Sequence, residues 1–188
     1  MNSLLSTQHS VLHASSALLA TAALALAGCT SSPPRPCGIG QPVTISASDT
    51  SSPSVVVDFF LPDGRTVSFP SAGTPSTVTS NSSGRVTVIA KTTDPEGAQD
   101  AQIWAAAKSC TTLGGSTSCS GPGLLGAPSA SNPDARTAGM TGCTERLVQH
   151  NLQVFRDPTR DVSQEVTVYG KNFAGQQTQL GTFVLRAQ

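Results

Sequence analysis

The stretch EVTVYGK, Glu165–Lys171, is followed by Asn172-Phe173-Ala174-Gly175 and then by TQLGTFVLR, Thr178–Arg186. In both outer runs apolar residues alternate with polar ones, which is the two-residue period of a half-buried β-strand. The residues between the runs include Asn and Gly, which favour a turn. This stretch therefore predicts an antiparallel hairpin and indicates an all-β fold.

The same alternation recurs upstream of this hairpin. Pro62-Asp63-Gly64 separates two β-rich runs and predicts a second hairpin. Val86, Val88 and Ala90 share one face of a further run, which predicts a strand with one buried side. The strands expected in this part of the chain are Pro42–Ala47, Val55–Leu61, Arg65–Phe69 and Arg85–Lys91.

Two segments have mixed signals. The segment around Trp104 contains Ala98 and the run Ala105–Ala107, which favour a helix. The turn Asp94–Gly97 before this segment instead favours a strand, because a strand after the turn would pair with the strand that precedes it. In Thr144–Phe155, apolar residues fit either a helical stripe or a strand. We expect strands in both places.

The composition excludes some classes of function. The chain has 11 basic and 11 acidic residues, and only 12% of its residues are charged. Such a surface does not suit nucleic acid. The motifs G-x-S-x-G and H-E-x-x-H and the phosphate-binding loop G-x-x-x-x-G-K-[ST] are absent from the sequence, so we expect no cofactor and no catalytic residue of these classes.

The N-terminal region predicts export. Val11–Gly28 contains no Lys, Arg, Asp or Glu and matches the apolar core of a secretory signal. Leu26-Ala27-Gly28-Cys29 resembles the lipobox of bacterial lipoproteins, which implies cleavage before Cys29 and acylation of its thiol. The alternatives are an uncleaved membrane helix, or cleavage after Ala25-Leu26-Ala27 that releases a soluble protein.

The lipobox resemblance also implies a location and a division of the chain. Thr30 is not the aspartate that resembles an inner-membrane retention signal, so we expect the outer membrane if the host has two membranes. Residues 1–28 are the expected signal peptide. Residues 29–41, which include a proline-rich run, form a flexible tether, and residues 42–188 form one domain.

Four cysteines remain in the mature chain after Cys29: Cys37, Cys110, Cys119 and Cys143. An even number in an exported, oxidising setting predicts two disulfides. Three pairings are possible, and the sequence does not choose among them. Between Cys110 and Cys143 the chain is rich in Gly, Ser and Pro, which predicts a long, irregular loop that is held in place by disulfide bonding of its cysteines.

The last hairpin and VTVIAKTTDPEG, Val86–Gly97, resemble the closing strands of bacterial Ig-like and PKD-like extracellular domains. This resemblance implies an Ig-like antiparallel β-sandwich. It also implies that Trp104 is the core tryptophan of such a domain.

Few residues suggest a site. Asp94, Glu96 and Asp100 form the one tight acidic group and are a weak calcium candidate, although proline and glycine beside them already explain a turn. Phe173 at a hairpin apex is a candidate exposed contact, unless its ring folds back onto the sheet. His150, the one histidine of the mature chain, fits a structural role better than a general base.

We therefore expect a membrane-anchored envelope lipoprotein that acts, without catalysis, as a binding or assembly module through a sheet edge or the long loop. Its expected partners are the lipid membrane and an envelope protein. The alternatives are an envelope hydrolase with carboxylates near residues 110–143, which would show a concave acidic pocket, and a carrier of a small apolar ligand with a cavity between its sheets.

Overall fold

Buried and exposed side chains alternate along the long strands of the computed structural model, which describes residues 37–69, 77–121 and 127–188. Within these ranges the chain forms strands and no helix. None of the described residues forms a helix with the length and apolarity that a membrane span needs. The strands are β1 Pro42–Thr44, β2 Ser54–Phe60, β3 Thr66–Phe69, β4 Thr77–Ser80, β5 Gly84–Thr93, β6 Ala98–Leu113, β7 Ser116–Ser120, β8 Ala130–Ser131, β9 Thr141–Cys143, β10 Glu145–Val154, β11 Asp161–Asn172 and β12 Gln177–Ala187.

The strands form two main sheets and one short ribbon. The first sheet has the order β10-β5-β2-β3, and the second has the order β4-β12-β11-β6-β7, with β8 also paired to β6. Strands β1 and β9 form the ribbon. Neighbouring strands are antiparallel except for β4, which runs parallel to β12. The prediction of an all-β, largely antiparallel architecture is confirmed.

The core lies between the two main sheets, as in a β-sandwich. Phe59 of β2 and Phe183 of β12 come from opposite sheets, and their ring centroids are 5.4 Å apart. Phe69 of β3 joins them, 4.7 Å from Phe183. Aliphatic side chains fill the rest of the layer: Val55, Val57, Val86, Val88, Ala90, Ala101, Ile103, Val148, Leu152, Val154, Val166, Val168, Leu180 and Leu185.

Most expected strands are present. The hairpin across Pro62-Asp63-Gly64 forms as β2 and β3, and the C-terminal hairpin forms as β11 and β12. Both ambiguous segments are strands, β6 and β10. Strand β4 was not expected, because Thr77–Ser80 is short and offers only Val78 to the core.

The position of Trp104 differs from the expectation. Ile103, its neighbour in β6, is fully buried in the core. Because successive side chains of a strand point to opposite faces, Trp104 lies on the outer face of the second sheet, where it is half-buried. The resemblance-based assignment of Trp104 as a core tryptophan is therefore wrong.

The two disulfides are Cys37–Cys143 and Cys110–Cys119. The first ties the segment before β1 to β9, and the second joins residues that face each other across the β6–β7 hairpin. That hairpin turns at Gly114 and Gly115, both with positive φ, which glycine adopts without a steric penalty. The segment expected to be an irregular loop thus begins as a regular hairpin stapled by its own disulfide.

The buried aromatic layer generates the first prediction. Phe59→Ala removes a side chain with 0% exposure from the contact between the sheets, so we expect it to lower the free energy of unfolding by about 3–5 kcal/mol. Phe60→Ala is the matched control, because Phe60 lies on the outer face and is 42% exposed. Urea unfolding of both variants measures the difference. Equal losses would contradict the assignment of the two faces.

The disulfides generate the second prediction. Their cysteines are 106 and 9 positions apart in the sequence. The entropy of loop closure then gives about 5 kcal/mol of stabilisation for Cys37–Cys143 and about 3 kcal/mol for Cys110–Cys119. We expect the variant with Cys37→Ser and Cys143→Ser to unfold at clearly lower urea than the variant with Cys110→Ser and Cys119→Ser. The reverse order would contradict the pairing.

Candidate functional site

Acidic side chains converge at one end of the described domain. Asp94 follows β5, Asn172 ends β11, and Asp49 lies between β1 and β2. The Asn172 side-chain amide donates to Asp49 Oδ2 at 2.8 Å and to Asp94 Oδ2 at 3.3 Å. The same amide donates to the Ser51 carbonyl at 2.9 Å. One asparagine therefore joins three connecting segments.

The two carboxyl groups differ in their proton affinity. Burial raises the pKa of Asp94, which has no exposed surface. Hydrogen bonds from the Ser51 hydroxyl and amide lower the pKa of Asp49. The negative charge of Asp49 raises the pKa of Glu96. Because the Asp49 and Asp94 carboxylates already receive hydrogen bonds from within the chain, the cluster stabilises the turns that it connects.

The calcium candidate is only partly assembled. Asp94 and Glu96 lie in this cluster, but Asp100 is engaged elsewhere, by groups on β6 and β8. Across the described ranges, no group of three or more His, Cys, Asp or Glu residues is arranged to hold a metal ion. The geometry therefore gives the calcium hypothesis no support.

Phe173 lies at the turn between β11 and β12, as its sequence suggests. Its ring packs closely against Gly97, where an added Cβ would come within 3.0 Å of Cδ2, and against Gly142. Phe173 is half-buried. The ring thus folds back onto the domain instead of projecting from it.

A second set of side chains lies along the outer face of β6. Asp100 is 5% exposed and accepts hydrogen bonds from the Ser131 hydroxyl, the Asn132 backbone N–H and the Gln102 side-chain amide. Gln102 in turn accepts a hydrogen bond at 3.2 Å from the indole N–H of Trp104. A chain of hydrogen bonds therefore connects a buried carboxylate to the indole ring.

Trp104 also meets the one tyrosine of the chain. Tyr169 lies on β11, and the two ring centroids are 5.9 Å apart with an interplanar angle of 68°, an edge-to-face contact. Tyr169 is half-buried, like Trp104. We define Gln102, Trp104, Tyr169 and Gln179 as the aromatic face. This face was not predicted from the sequence, because the resemblance to Ig-like domains placed the tryptophan in the core.

The hydrolase alternative needs carboxylates near residues 110–143, and the acidic residue within this segment is a fixed anion. Asp134 is the one Asp or Glu between Cys110 and Cys143. Burial raises its pKa, but hydrogen bonds from Arg136 and Arg146 outweigh that effect and lower the pKa to about 2. Both arginines form ion pairs with it. A carboxylate held in this way is a poor general acid near neutral pH.

Surface depressions border the second sheet and the disulfides. One of about 340 Å³ lies between the base of the β6–β7 hairpin and the segment that contains Phe155. Another of about 280 Å³ lies beside Cys143 and contains Ile39 and Leu147. Both are open to solvent. The layer between the sheets, where a carrier would need a cavity, is occupied by the phenylalanine cluster.

His150 lies on β10 between Val148 and Leu152, which both face the core. Burial lowers the pKa of its imidazole. The folded protein therefore disfavours the charged form, which suits a structural residue.

Cys29 and residues 1–28 fall outside the described residues. The lipidation site therefore remains a sequence-based expectation.

Comparison with known proteins identifies no family. No family model matches the chain, and no curated protein is significantly similar to it. Among solved structures, the chain is similar to the crystal structure of Spo0M, a sporulation control protein from Bacillus subtilis, with 12% identity and a TM-score of 0.28. The match covers 72% of this chain and spans 50% of the other. At that TM-score the similarity carries no argument about function.

His150 generates a pH-dependent prediction. The pKa of His150 is lower in the folded protein than in the unfolded chain. Its contribution to the free energy of unfolding is therefore fully present above about pH 6.5 and is lost as the pH falls toward and through the lower folded-state pKa. We expect the free energy of unfolding to drop less between neutral and mildly acidic pH in His150→Gln than in wild type. Urea titrations at both pH values measure this, and identical pH dependence in the two proteins would contradict it.

Proposed function

We propose that this protein is a lipid-anchored envelope lipoprotein, acylated at Cys29, whose Ig-like β-sandwich is a non-enzymatic binding module. The observation that carries the binding role is the aromatic face. Trp104 and Tyr169 lie outside the core, in contact with each other, on a sheet surface. Large aromatic side chains are enriched at surfaces that bind partners.

The disulfides support an exported location. The disulfides attach Cys37 to strand β9 and join strands β6 and β7, and disulfides persist mainly in oxidising compartments. This agrees with the apolar leader and the lipobox. If the host has two membranes, we propose the outer membrane.

The position of Cys37 limits how far the domain can lie from its anchor. The disulfide with Cys143 attaches Cys37 to β9. Seven residues, 30–36, separate Cys37 from Cys29, and a fully extended chain of this length spans about 28 Å. The module would therefore act on material close to the membrane surface, such as a protein or polymer of the envelope.

The lipid anchor is tested by expressing the full-length chain in a bacterial host that processes lipoproteins, in medium with alkyne-labelled palmitate. We expect a labelled, membrane-bound protein whose intact mass begins at acylated Cys29. Cys29→Ser should lose the label, whereas the neighbouring change Thr30→Ser should keep it. An unprocessed wild type, or a processed protein without an acyl group, would overturn the proposal.

A further inference from the structure

We propose that the aromatic face binds a neutral glycan, with sugar rings stacked on Trp104 and Tyr169 and sugar hydroxyls bonded to the flanking amides. This inference rests on the proposed function, because it names the ligand class of the binding module. It adds a site that the sequence motifs did not indicate.

The placement of the aromatic pair favours a ligand. The core already contains its own aromatic cluster, formed by Phe59, Phe69 and Phe183. The one tryptophan and the one tyrosine of the chain instead meet on the opposite side of the second sheet. A partly exposed indole keeps apolar area in water, and a ligand that covers it removes that area from solvent.

The tryptophan is held in place before any ligand arrives. Its N–H donates to Gln102, and Gln102 donates to Asp100. Asp100 is fixed by Ser131 and Asn132 of the adjoining β8 segment. Side chains that are locked by such supporting hydrogen bonds lose little conformational entropy on binding.

The polar groups around the rings suit hydroxyl groups. In the strand register, Gln102 pairs with Tyr169, and Tyr169 pairs with Gln179 on β12. The face thus carries an amide on each side of the phenol ring. Amides both donate and accept hydrogen bonds, as sugar hydroxyls do.

The charges near the face are balanced. Lys108 bonds to Glu165 at 3.1 Å on one flank. On the other flank, Lys171 is the register partner of Asp100. Since each flank combines one cation with one anion, the face has no excess charge to attract an ionic ligand. A neutral glycan fits this charge balance because it carries no net charge. Its C–H groups can also pack on the negative faces of the aromatic rings.

The ring geometry argues against a proline-rich peptide as the ligand. Such peptides dock into grooves between aromatic side chains. Trp104 and Tyr169 already contact each other edge to face, so no slot remains between the two rings. A sugar needs only one accessible ring face with polar groups beside it.

The test uses the fluorescence of Trp104, which reports on this face alone because it is the one tryptophan in the chain. The full-length protein, processed in a bacterial host and purified in detergent, is titrated with three neutral oligosaccharides: chitohexaose, maltoheptaose and cellohexaose. We expect at least one glycan to change the emission in a saturable manner. Calorimetry with that glycan then compares variants.

Tyr169→Ala and Gln102→Leu should each weaken binding by about tenfold, which corresponds to about 1.4 kcal/mol. Trp104→Ala should abolish it, and Trp104→Phe, which retains an aromatic ring, should restore part of the affinity. Phe155→Ala is the matched control, because Phe155 is 47% exposed and lies outside the aromatic face, and it should bind like wild type. Urea unfolding confirms that each variant is folded.

Failure of all three glycans to bind, or equal weakening by Phe155→Ala, would overturn the glycan proposal, as would saturable binding of a proline-rich peptide in their place. Titration of Cys29→Ser separates this result from the anchor. Glycan binding by the unacylated protein supports the aromatic face whatever the palmitate experiment finds, and an acylated protein that binds no glycan overturns this inference alone.

Discussion

The antiparallel ladder between β6 and β11 is the constraint on which the rest of the structure depends. Its register pairs Ile103 with Val168 and Trp104 with Thr167. Because side chains alternate across a sheet, burying Ile103 and Val168 in the core requires Trp104 and Tyr169 to face outward. The same ladder positions Asn172 at its end, where the amide joins the acidic turns. The register between β6 and β11 thus determines which side chains of these strands lie in the core and which lie on the outer surface.

Much of the fold follows from local pattern. Strict alternation, as in Val86, Val88 and Ala90, predicts both a strand and its buried face, and all three residues have 0% exposure. Turn residues such as Pro62-Asp63-Gly64 mark the hairpins. Pattern fails for β7, where every residue is exposed, since a strand without a buried side has no hydrophobic period to detect. Its pairing depends on Gly114 and on the disulfide.

The sites were harder to predict because they depend on contacts between distant segments. Proximity in sequence grouped Asp94 with Asp100, but the fold groups Asp94 with Asp49 and Asn172, which are 45 and 78 positions away. The aromatic pair was missed for a different reason. The resemblance to Ig-like domains implies a core position for the one tryptophan, whereas the register of β6 places it on the outer face and phenylalanines fill the core.

The most direct test of this account is collisional quenching of Trp104 fluorescence by acrylamide in the folded protein, with and without bound glycan. A tryptophan on the aromatic face should be accessible to the quencher, and a stacked sugar should shield it. We expect acrylamide to quench the free protein efficiently and to quench it less once the glycan saturates the aromatic face. An indole that acrylamide cannot reach in the free, folded protein would place Trp104 in the core and contradict the register and the binding face together.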